Sequence, residues 1–408
     1  MPVPELPAGS PVRSRAVLWL CAFCALVEGF DNQSAGVAAP RMVPEYGLAP
    51  GQAGTVFSAA ALGLAIGAAI GGRVADRLGR KRTLLLSLLL FGLFSLLTTV
   101  APGYMSLVIA RLLTGIGLGG AMPNFIALAS ETVDPRRRIS VVAMISAGMP
   151  TGGALAALAA LGDRLGWSWH SIFYVGGFTP LLLAWLVWRL LPDAPARAAA
   201  RTAAGTTAHP ALESTSQVLF GPGRALSTLY LWGGFFFTQL ILLLMLNWLP
   251  SLMIDLGFSR GQGSLASMVF NLAGAAGGVL LGRLHAGRLQ SAWVLVSYLG
   301  MVAALVTLPL SGGQFPLAIS AVALAGAFIV GAQMILFAAA PLFYPAIVHG
   351  TGVGSAIAIG RLGSVVGPLF AGALLAAGSG GAGVLLGILP FVAIGGSATW
   401  LLSRRPAV

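Results

Sequence analysis

The chain has 408 residues, of which 57% are hydrophobic and only 8% are charged, and its net charge is +12. A soluble domain typically carries about 25% charged residues, so this composition excludes a soluble globular protein and predicts an integral membrane protein. The apolar runs are continuous rather than alternating, which argues against a membrane β-barrel and for membrane-spanning helices.

A helix needs about 20 residues to cross a bilayer, and twelve apolar segments of this kind follow one another along the chain. They cover residues 16–39, 52–75, 83–101, 104–130, 139–162, 171–191, 225–250, 262–284, 291–310, 315–340, 350–377 and 381–403. The polar stretch 192–224 has no apolar periodicity and is predicted to be a cytoplasmic linker. It separates two predicted six-helix units, residues 1–191 and 225–408.

The 23 Lys and Arg are distributed unevenly between the two ends of these spans. Most precede span 1, join even-numbered to odd-numbered spans, or follow span 12. Arg41, Arg164 and Arg260 lie on the other side, and Arg111 and Arg361 lie within spans. The positive-inside rule therefore places both termini in the cytoplasm. The basic charge indicates topology in a lipid bilayer and not a nucleic-acid partner.

Span 1 contains two acids, Glu28 and Asp31, where hydrocarbon-compatible side chains are expected. Their i, i+3 spacing predicts that both lie on one face of the helix. A charge at the bilayer centre costs about 2.5–3.5 kcal/mol on insertion scales, so such residues usually face a bundle interior or an aqueous cavity and are usually functional. This pair is the first candidate for a proton or substrate site.

The loop between spans 2 and 3 (residues 72–82, the loop motif) reads Gly-x-x-x-Asp-Arg-x-Gly-Arg-Lys-Arg. It resembles the signature loop of the major facilitator superfamily, and Gly115-x-Gly117-x-Gly119 after Arg111 resembles a second motif of that superfamily. The resemblance implies two related six-helix bundles that transport by alternating access. It also implies that the loop motif acts as a cytoplasmic conformational latch, through Gly72, Asp76, Arg77, Gly79, Arg80, Lys81 and Glu131 at the end of span 4.

Several shorter stretches resemble the aromatic acid:proton symporter family. They are Glu28-Gly-Phe-Asp31, Ala121-Met-Pro-Asn124, Asn247-Trp-Leu-Pro250, Thr351-Gly-Val-Gly354 and Gly360-Arg-Leu-Gly363. Glu28 together with Ala340-Pro-Leu-Phe-Tyr344 is most similar to the 3-(3-hydroxyphenyl)propionate branch. The resemblance implies import of a small aromatic carboxylate with protons, by a functional monomer without a cofactor, in a bacterial inner membrane.

The charges within the spans suggest a division of roles. At ~1.5 Å per residue, Asp31 and Arg111 lie at similar depth, as do Glu28 and Arg361. We hypothesise that Glu28 and Asp31 carry the coupling proton, that Arg111 pairs with the deprotonated acid, and that Arg361 holds the substrate carboxylate. The alternative is that all four charges form a static structural network.

Uncharged polar residues of the second unit are further candidates for substrate binding. They are Gln239, Asn247, Asn271, Gln333 and Tyr344. The amides are candidates to hydrogen-bond a ring hydroxyl, but bonding between helices explains each of them equally well. Tyr344 is a candidate to stack on an aromatic ring, although packing is the usual role of such a side chain.

Two other functions remain open at this point. A drug/proton antiporter would share the fold, but Gly148-Met-Pro-Thr-Gly152-Gly153 in span 5 only loosely resembles the antiporter motif. A transport-inactive membrane sensor or a membrane enzyme is a different class. The sequence contains no nucleotide-binding loop, catalytic triad or metal-ligand cluster, and no soluble signalling domain, so we expect a transporter and not an enzyme.

Overall fold

The computed structural model describes residues 11–133, 145, 147–162, 166–191, 215–284, 290–345 and 348–406. These residues form helices joined by short turns, so the predicted all-helical fold is confirmed. Nine helices among them are long and apolar enough to cross a membrane by length and composition. Continuous helices satisfy their own backbone hydrogen bonds, which is the requirement that hydrocarbon imposes.

The N-terminal half consists of six described helices. They are α1 Pro11–Glu45, α2 Pro50–Leu78, α3 Arg80–Thr98, α4 Tyr104–Thr132, α5 Gly148–Ala160 and α6 His170–Leu190. The start of predicted span 5, residues 139–144, lies outside the described residues. Gly79 separates α2 from α3 with φ 86°, a left-handed conformation that glycine adopts without strain. The chain therefore turns back sharply within the loop motif.

The C-terminal half begins earlier than the composition indicated. Its helices are α7 Thr215–Phe220, α8 Ala225–Asp255, α9 Arg260–Leu284, α10 Ser291–Thr307, α11 Phe315–Ala339, α12 His349–Ala376, α13 Gly380–Gly387 and α14 Leu389–Ser403. The short helix α7 falls in the predicted linker, but its Val218 and Leu219 are buried against this half. Residues 192–214 of that linker lie outside the described residues. The twelfth predicted span is two helices, α13 and α14, that meet at Ile388.

Glycines let α2 and α4 pack with their backbones in contact. A Cβ added at Gly63 would lie 2.9 Å from the Ile116 nitrogen and closer still to the Leu112 carbonyl oxygen. In the reverse direction, a Cβ at Gly115 would meet the Ala60 carbonyl oxygen. Small residues at such crossings are the usual means of close helix packing in membranes. The glycines at this crossing thus allow the close contact between α2 and α4.

We expect Gly63→Ala to destabilise the N-terminal half by about 1–3 kcal/mol, the usual cost of overpacking, because the backbone atoms that its methyl would meet cannot rotate away. The measurement is the thermal unfolding midpoint of the purified protein in detergent. Gly354→Ala is the matched control, because this helical glycine is exposed and has nothing within 4 Å of an added Cβ. Equal midpoints for the two variants would contradict the packing argument.

Among the described residues, the two halves meet mainly through three helix pairs, α1 with α8, α2 with α12, and α5 with α9. We call their contact the seam, and we call the end of the bundle where α1 ends and α2 begins (residues 45–50) the far face. Near it, Ser58 Oγ donates to the Val365 carbonyl at 2.7 Å. A Cβ on Gly54 would lie 2.7 Å from the Pro368 carbonyl oxygen. The halves are therefore in backbone contact close to the far face.

Candidate functional site

Asp31 and Arg111 form an ion pair inside the N-terminal half. Helix α1 carries the acid and α4 the base. Arg111 Nη1 donates to Asp31 Oδ1 at 3.2 Å, and Nη2 donates to Oδ2 at 3.0 Å. Both side chains are buried. This two-pronged geometry is the strongest arrangement available to an arginine and a carboxylate.

The surroundings of this pair come from the same half. Ser95 Oγ on α3 lies 3.5 Å from Asp31 Oδ1. The Arg111 guanidinium carbon lies 5.4 Å from the centre of the Phe173 ring on α6. Four helices thus converge on one buried ion pair, and the pairing predicted from equal depth is present. Removing either partner would leave a buried charge uncompensated, which is costly.

Glu28 faces the seam and not the interior of its own half, because it lies under the influence of Arg361 in the other half. Its side chain is 2% exposed, and neither carboxylate oxygen has a hydrogen-bond partner among the described residues. The charged group that acts on it electrostatically is Arg361 of α12, in the other half, and the effect is mutual. A buried carboxylate without hydrogen bonds is energetically expensive when ionised.

The guanidinium of Arg361 also lacks a strong hydrogen-bond partner among the described residues. It is half-buried, and its Nη2 donates at 3.4 Å to the Sδ of Met122, a residue of α4 in the N-terminal half. A thioether is a weak acceptor for a guanidinium. Glu28 and Arg361 therefore face each other across the seam as opposite charges without a hydrogen bond between them.

The structure separates the two acids that the sequence analysis grouped. Side chains at i and i+3 diverge by about 60° around a helix, and here that angle is enough to direct Asp31 into its own half and Glu28 toward the other. In this conformation Arg111 pairs with Asp31 alone. The hypothesis that Arg111 pairs with whichever acid is deprotonated therefore stays a prediction.

A buried amide bridge crosses the seam five residues further along α1 than Glu28. Asn271 Nδ2 of α9 donates to Gln33 Oε1 of α1 at 3.0 Å. Gln33 Nε2 then donates to the Leu246 carbonyl of α8 at 2.7 Å. Sequence reasoning selected Asn271 but missed Gln33. Its position five residues after Glu28 in an apolar helix was the available signal.

The other polar residues predicted to bind substrate do not form one cluster. Asn247 donates to the Leu243 carbonyl of its own helix. Gln333 is buried and its Oε1 has no partner among the described residues, whereas Gln239 is half-buried. Tyr344 lies in a separate cluster, where its hydroxyl is 2.9 Å from Thr228 Oγ1 and its ring packs on Gly352. The structure therefore does not bring Tyr344 together with Arg361.

The residues of the loop motif differ in their exposure. Arg80 and Lys81 are half-buried and engaged in contacts, whereas Asp76 and Arg77 are exposed. An added Cβ at Gly71 would lie 2.8 Å from the Gly120 Cα, but one at Gly72 would meet nothing within 4 Å. Close packing thus involves Gly71 and not Gly72. The side chain of Glu131 lies outside the described residues, so its role in a latch stays a prediction.

Comparison with known proteins gives consistent matches over nearly the whole chain. The family model of the Major Facilitator Superfamily matches residues 21–368. The 3-(3-hydroxy-phenyl)propionate transporter of Escherichia coli is 42% identical over 400 residues, which cover 98% of this chain and 96% of that protein. The gallate transporter of Pseudomonas putida is 34% identical over 386 residues, covering 89% and 86%.

Solved structures agree with this at the level of the fold. The crystal structure of a D-xylose-proton symporter matches with a TM-score of 0.77 and 16% identity, covering 96% of this chain and 98% of that one. At this identity the likeness concerns architecture and says nothing about substrate. The predicted resemblance to major facilitators, and among them to aromatic acid transporters, is confirmed by these matches.

Proposed function

The chain belongs to the major facilitator superfamily, as a multi-pass membrane transporter and not an enzyme, and we propose that it imports an aromatic carboxylate together with protons. The proposed substrate class is a hydroxyphenylpropionate or hydroxybenzoate. Support comes from relatives named for 3-(3-hydroxy-phenyl)propionate and gallate. The proposed location is a bacterial inner membrane, with both termini cytoplasmic because of the distribution of Lys and Arg, and the proposed functional unit is a monomer.

The observation that carries the mechanism is the pair of unsatisfied opposite charges at the seam. Glu28 belongs to the N-terminal half and Arg361 to the C-terminal half, and neither makes a hydrogen bond to a strong partner. Substrate sites of transporters built from two related halves lie near mid-membrane between those halves. A group there that binds, releases and binds again is best left without a permanent partner.

Linked binding of a proton and an anion follows from these charges. When Glu28 is ionised, it neutralises Arg361 and repels a second carboxylate. When Glu28 takes up a proton, Arg361 is left as an unpaired cation in a site of low dielectric. A substrate carboxylate then completes the charge balance, through the two-pronged hydrogen bonds that a guanidinium offers. In this proposal Glu28 is the proton carrier, and Asp31 with Arg111 supports the packing of its helix.

The conformation fits one stage of alternating access. The seam is in backbone contact close to the far face, at Gly54 with Pro368. If the termini are cytoplasmic, the far face is external, so this conformation is closed to the outside. The amide bridge of Gln33 and Asn271 holds the closed seam at the level of the site.

We expect Arg361→Met to raise the KM for the aromatic acid about 10–100-fold. Hydrogen bonds to charged groups contribute about 1.5–3 kcal/mol, and each 1.4 kcal/mol is a factor of ten in affinity. The measurement is the initial rate of uptake of labelled 3-(3-hydroxyphenyl)propionate against its concentration. Arg404→Met is the control, because Arg404 is exposed and packs on Trp400 far from the seam. An unchanged KM for Arg361→Met would remove Arg361 from substrate binding.

Uptake into proteoliposomes tests the proposed function as a whole. The purified protein is reconstituted, a pH gradient with an alkaline interior is imposed, and labelled acid is added outside. We expect accumulation that collapses on addition of a protonophore. A drug/proton antiporter would instead expel a cationic dye against the gradient. Absence of gradient-driven accumulation for benzoates, hydroxybenzoates and phenylpropionates alike would overturn the proposal.

A further inference from the structure

One buried amide of the C-terminal half has no partner for its oxygen. Gln333 of α11 is 3% exposed, and its Oε1 makes no hydrogen bond with any described residue. The buried amides of Asn247 and Asn271, by contrast, donate to a carbonyl of α8 and to Gln33. A buried acceptor without a donor is costly, so this atom requires an explanation. A ligand that donates a hydrogen bond would supply the missing partner.

Helix geometry places Gln333 on the face of α11 that points away from lipid. Leu317 and Leu324 of this helix are 41% and 50% exposed, as expected for side chains that contact lipid. At about 100° per residue, Gln333 lies about 160–180° around the helix from them. Phe337 follows Gln333 by one turn on the same face, and it is 38% exposed. Phe337 is therefore exposed toward an opening within the protein and not toward lipid.

An aromatic pair connects this face of α11 with the neighbourhood of Arg361. The Phe337 ring meets the Phe235 ring of α8 edge to face, with their centroids 5.2 Å apart. A Cβ added at Gly360 of α12 would lie 3.4 Å from the Phe235 ring. Gly360 directly precedes Arg361. The two rings thus form an apolar surface that links the Gln333 face of α11 to the part of α12 that carries Arg361.

Gln333 and Arg361 also lie at similar depth in the bundle. Phe315 at the start of α11 packs against the turn that follows α8. The backbone N–H of Gly381, shortly after α12, donates to Asp255 at the end of α8. At ~1.5 Å per residue, Gln333 lies about 27 Å from the first of these ends and Arg361 about 22 Å from the second. The two levels differ by about one helical turn.

The unpaired atom determines which part of a substrate can bind beside it. The carbonyl oxygen of Gln333 needs a hydrogen-bond donor, whereas an ionised carboxylate only accepts hydrogen bonds. A phenolic hydroxyl is a donor, and every hydroxyphenylpropionate or hydroxybenzoate carries one. The Gln333 oxygen therefore suits the hydroxyl end of such an acid, and the Arg361 guanidinium suits the carboxylate end.

We propose that Gln333 binds the ring hydroxyl of the transported acid, with Oε1 accepting the hydrogen bond that the phenol donates. In the function proposed above, on which this role rests, Arg361 holds the carboxylate, and the ring then lies against Phe337. Gln333 thereby selects hydroxylated acids over the same acids without the hydroxyl, because the latter leave its buried oxygen unpaired. A site built around such a hydrogen bond rejects an analogue that lacks the hydroxyl.

Uptake kinetics with matched pairs of acids test this role. The pairs are 3-(3-hydroxyphenyl)propionate with 3-phenylpropionate, and 3-hydroxybenzoate with benzoate. We expect the wild type to have a KM about 10–100-fold lower for the hydroxylated member of the pair that it transports. In Gln333→Met, which keeps the length of the side chain but leaves only a weak acceptor, the KM of the hydroxylated acid should rise to that of its partner. The KM of the unhydroxylated acid should stay unchanged.

Two further variants and a stability measurement serve as controls. Gln290→Met should keep the wild-type preference, because Gln290 is exposed directly before α10. Arg361→Met should raise the KM of both members of a pair. The unfolding midpoint of Gln333→Met should not fall below that of the wild type, because the variant loses an unpaired buried acceptor. A fall of several degrees would show that Gln333 bonds a helix and would contradict the proposed role.

The outcomes separate this role from the function on which it rests. If the wild type transports both members of a pair with equal KM, or if Gln333→Met keeps the preference for the hydroxyl, Gln333 does not recognise the hydroxyl and the proposed transport of aromatic acids still stands. If the wild type accumulates no acid of either pair, the proposed function fails and the role of Gln333 fails with it.

Discussion

Replacement of Glu28 by Gln is expected to abolish accumulation of the aromatic acid in response to a pH gradient. Gln has nearly the shape of protonated Glu but cannot release a proton. The variant should therefore bind substrate at Arg361 and move it, yet gain nothing from the gradient. We expect exchange of labelled for unlabelled acid across the membrane to continue. The measurement compares gradient-driven uptake with exchange in the same proteoliposomes.

The matched control for this prediction is Glu45→Gln. Glu45 lies on the same helix at the far face, and the amide oxygen of Gln can still accept the hydrogen bond from Trp169 Nε1. Its gradient-driven accumulation should equal that of the wild type. Undiminished accumulation by Glu28→Gln would exclude Glu28 as the proton carrier. Loss of both accumulation and exchange would indicate instead that Glu28 is needed to hold the site together.

A second large effect is expected on stability rather than coupling. Asp31→Asn should destabilise the protein by about 3–5 kcal/mol, because it leaves the buried guanidinium of Arg111 without its counter-charge. Arg111 has few other ways to satisfy its charge, since its Nε already lacks a hydrogen-bond partner among the described residues. The measurement is the unfolding midpoint in detergent, together with the amount of folded protein recovered from membranes.

The double variant Asp31→Asn with Arg111→Met provides the control. Removing both charges eliminates the uncompensated cation, and an apolar side chain of similar size often replaces a buried ion pair with little loss of stability. We expect the double variant to recover most of the stability that Asp31→Asn loses. If Asp31→Asn alone unfolds at the wild-type temperature, the pair is not a structural support of α1.

These two predictions assign different roles to acids that are three residues apart. The sequence analysis grouped Glu28 and Asp31 as joint carriers of the proton because helical spacing places them near one face. The structure gives Asp31 a complete set of partners, Arg111 and Ser95, within one half. Glu28 has no hydrogen-bond partner among the described residues and lies opposite Arg361. A group that must change protonation during transport is better suited to the second environment than to the first.

The amide residues show a similar limit of sequence reasoning. Asn271 was a candidate for binding a ring hydroxyl, and in this conformation its amide is used to join α9 to Gln33 of α1. Asn247 bonds to its own helix, and Tyr344 belongs to a cluster with Thr228. Polarity in an apolar segment identifies a side chain that needs a partner, but does not identify whether that partner is a helix or a ligand.

The amino-acid sequence alone determined the class of this protein, because the features that define the class lie within short stretches of the chain. Apolar segment length follows from the thickness of the bilayer, and the bias of Lys and Arg follows from how loops are inserted. The loop motif and the glycines of α4 identified the superfamily in the same way. The rarity of charge in hydrocarbon was sufficient to select Glu28, Asp31, Arg111 and Arg361 among all residues of the chain.

Only the tertiary structure decided which of these charges meet. Glu28 and Arg361 are more than 300 residues apart in the chain, and Gln33 and Asn271 more than 200. Their encounters depend on how one half docks on the other. A difference of about 60° around α1 decides whether an acid faces its own bundle or the seam. Helical periodicity gives the angle between two side chains but not the direction of the neighbouring helices, since that direction results from packing of the whole bundle.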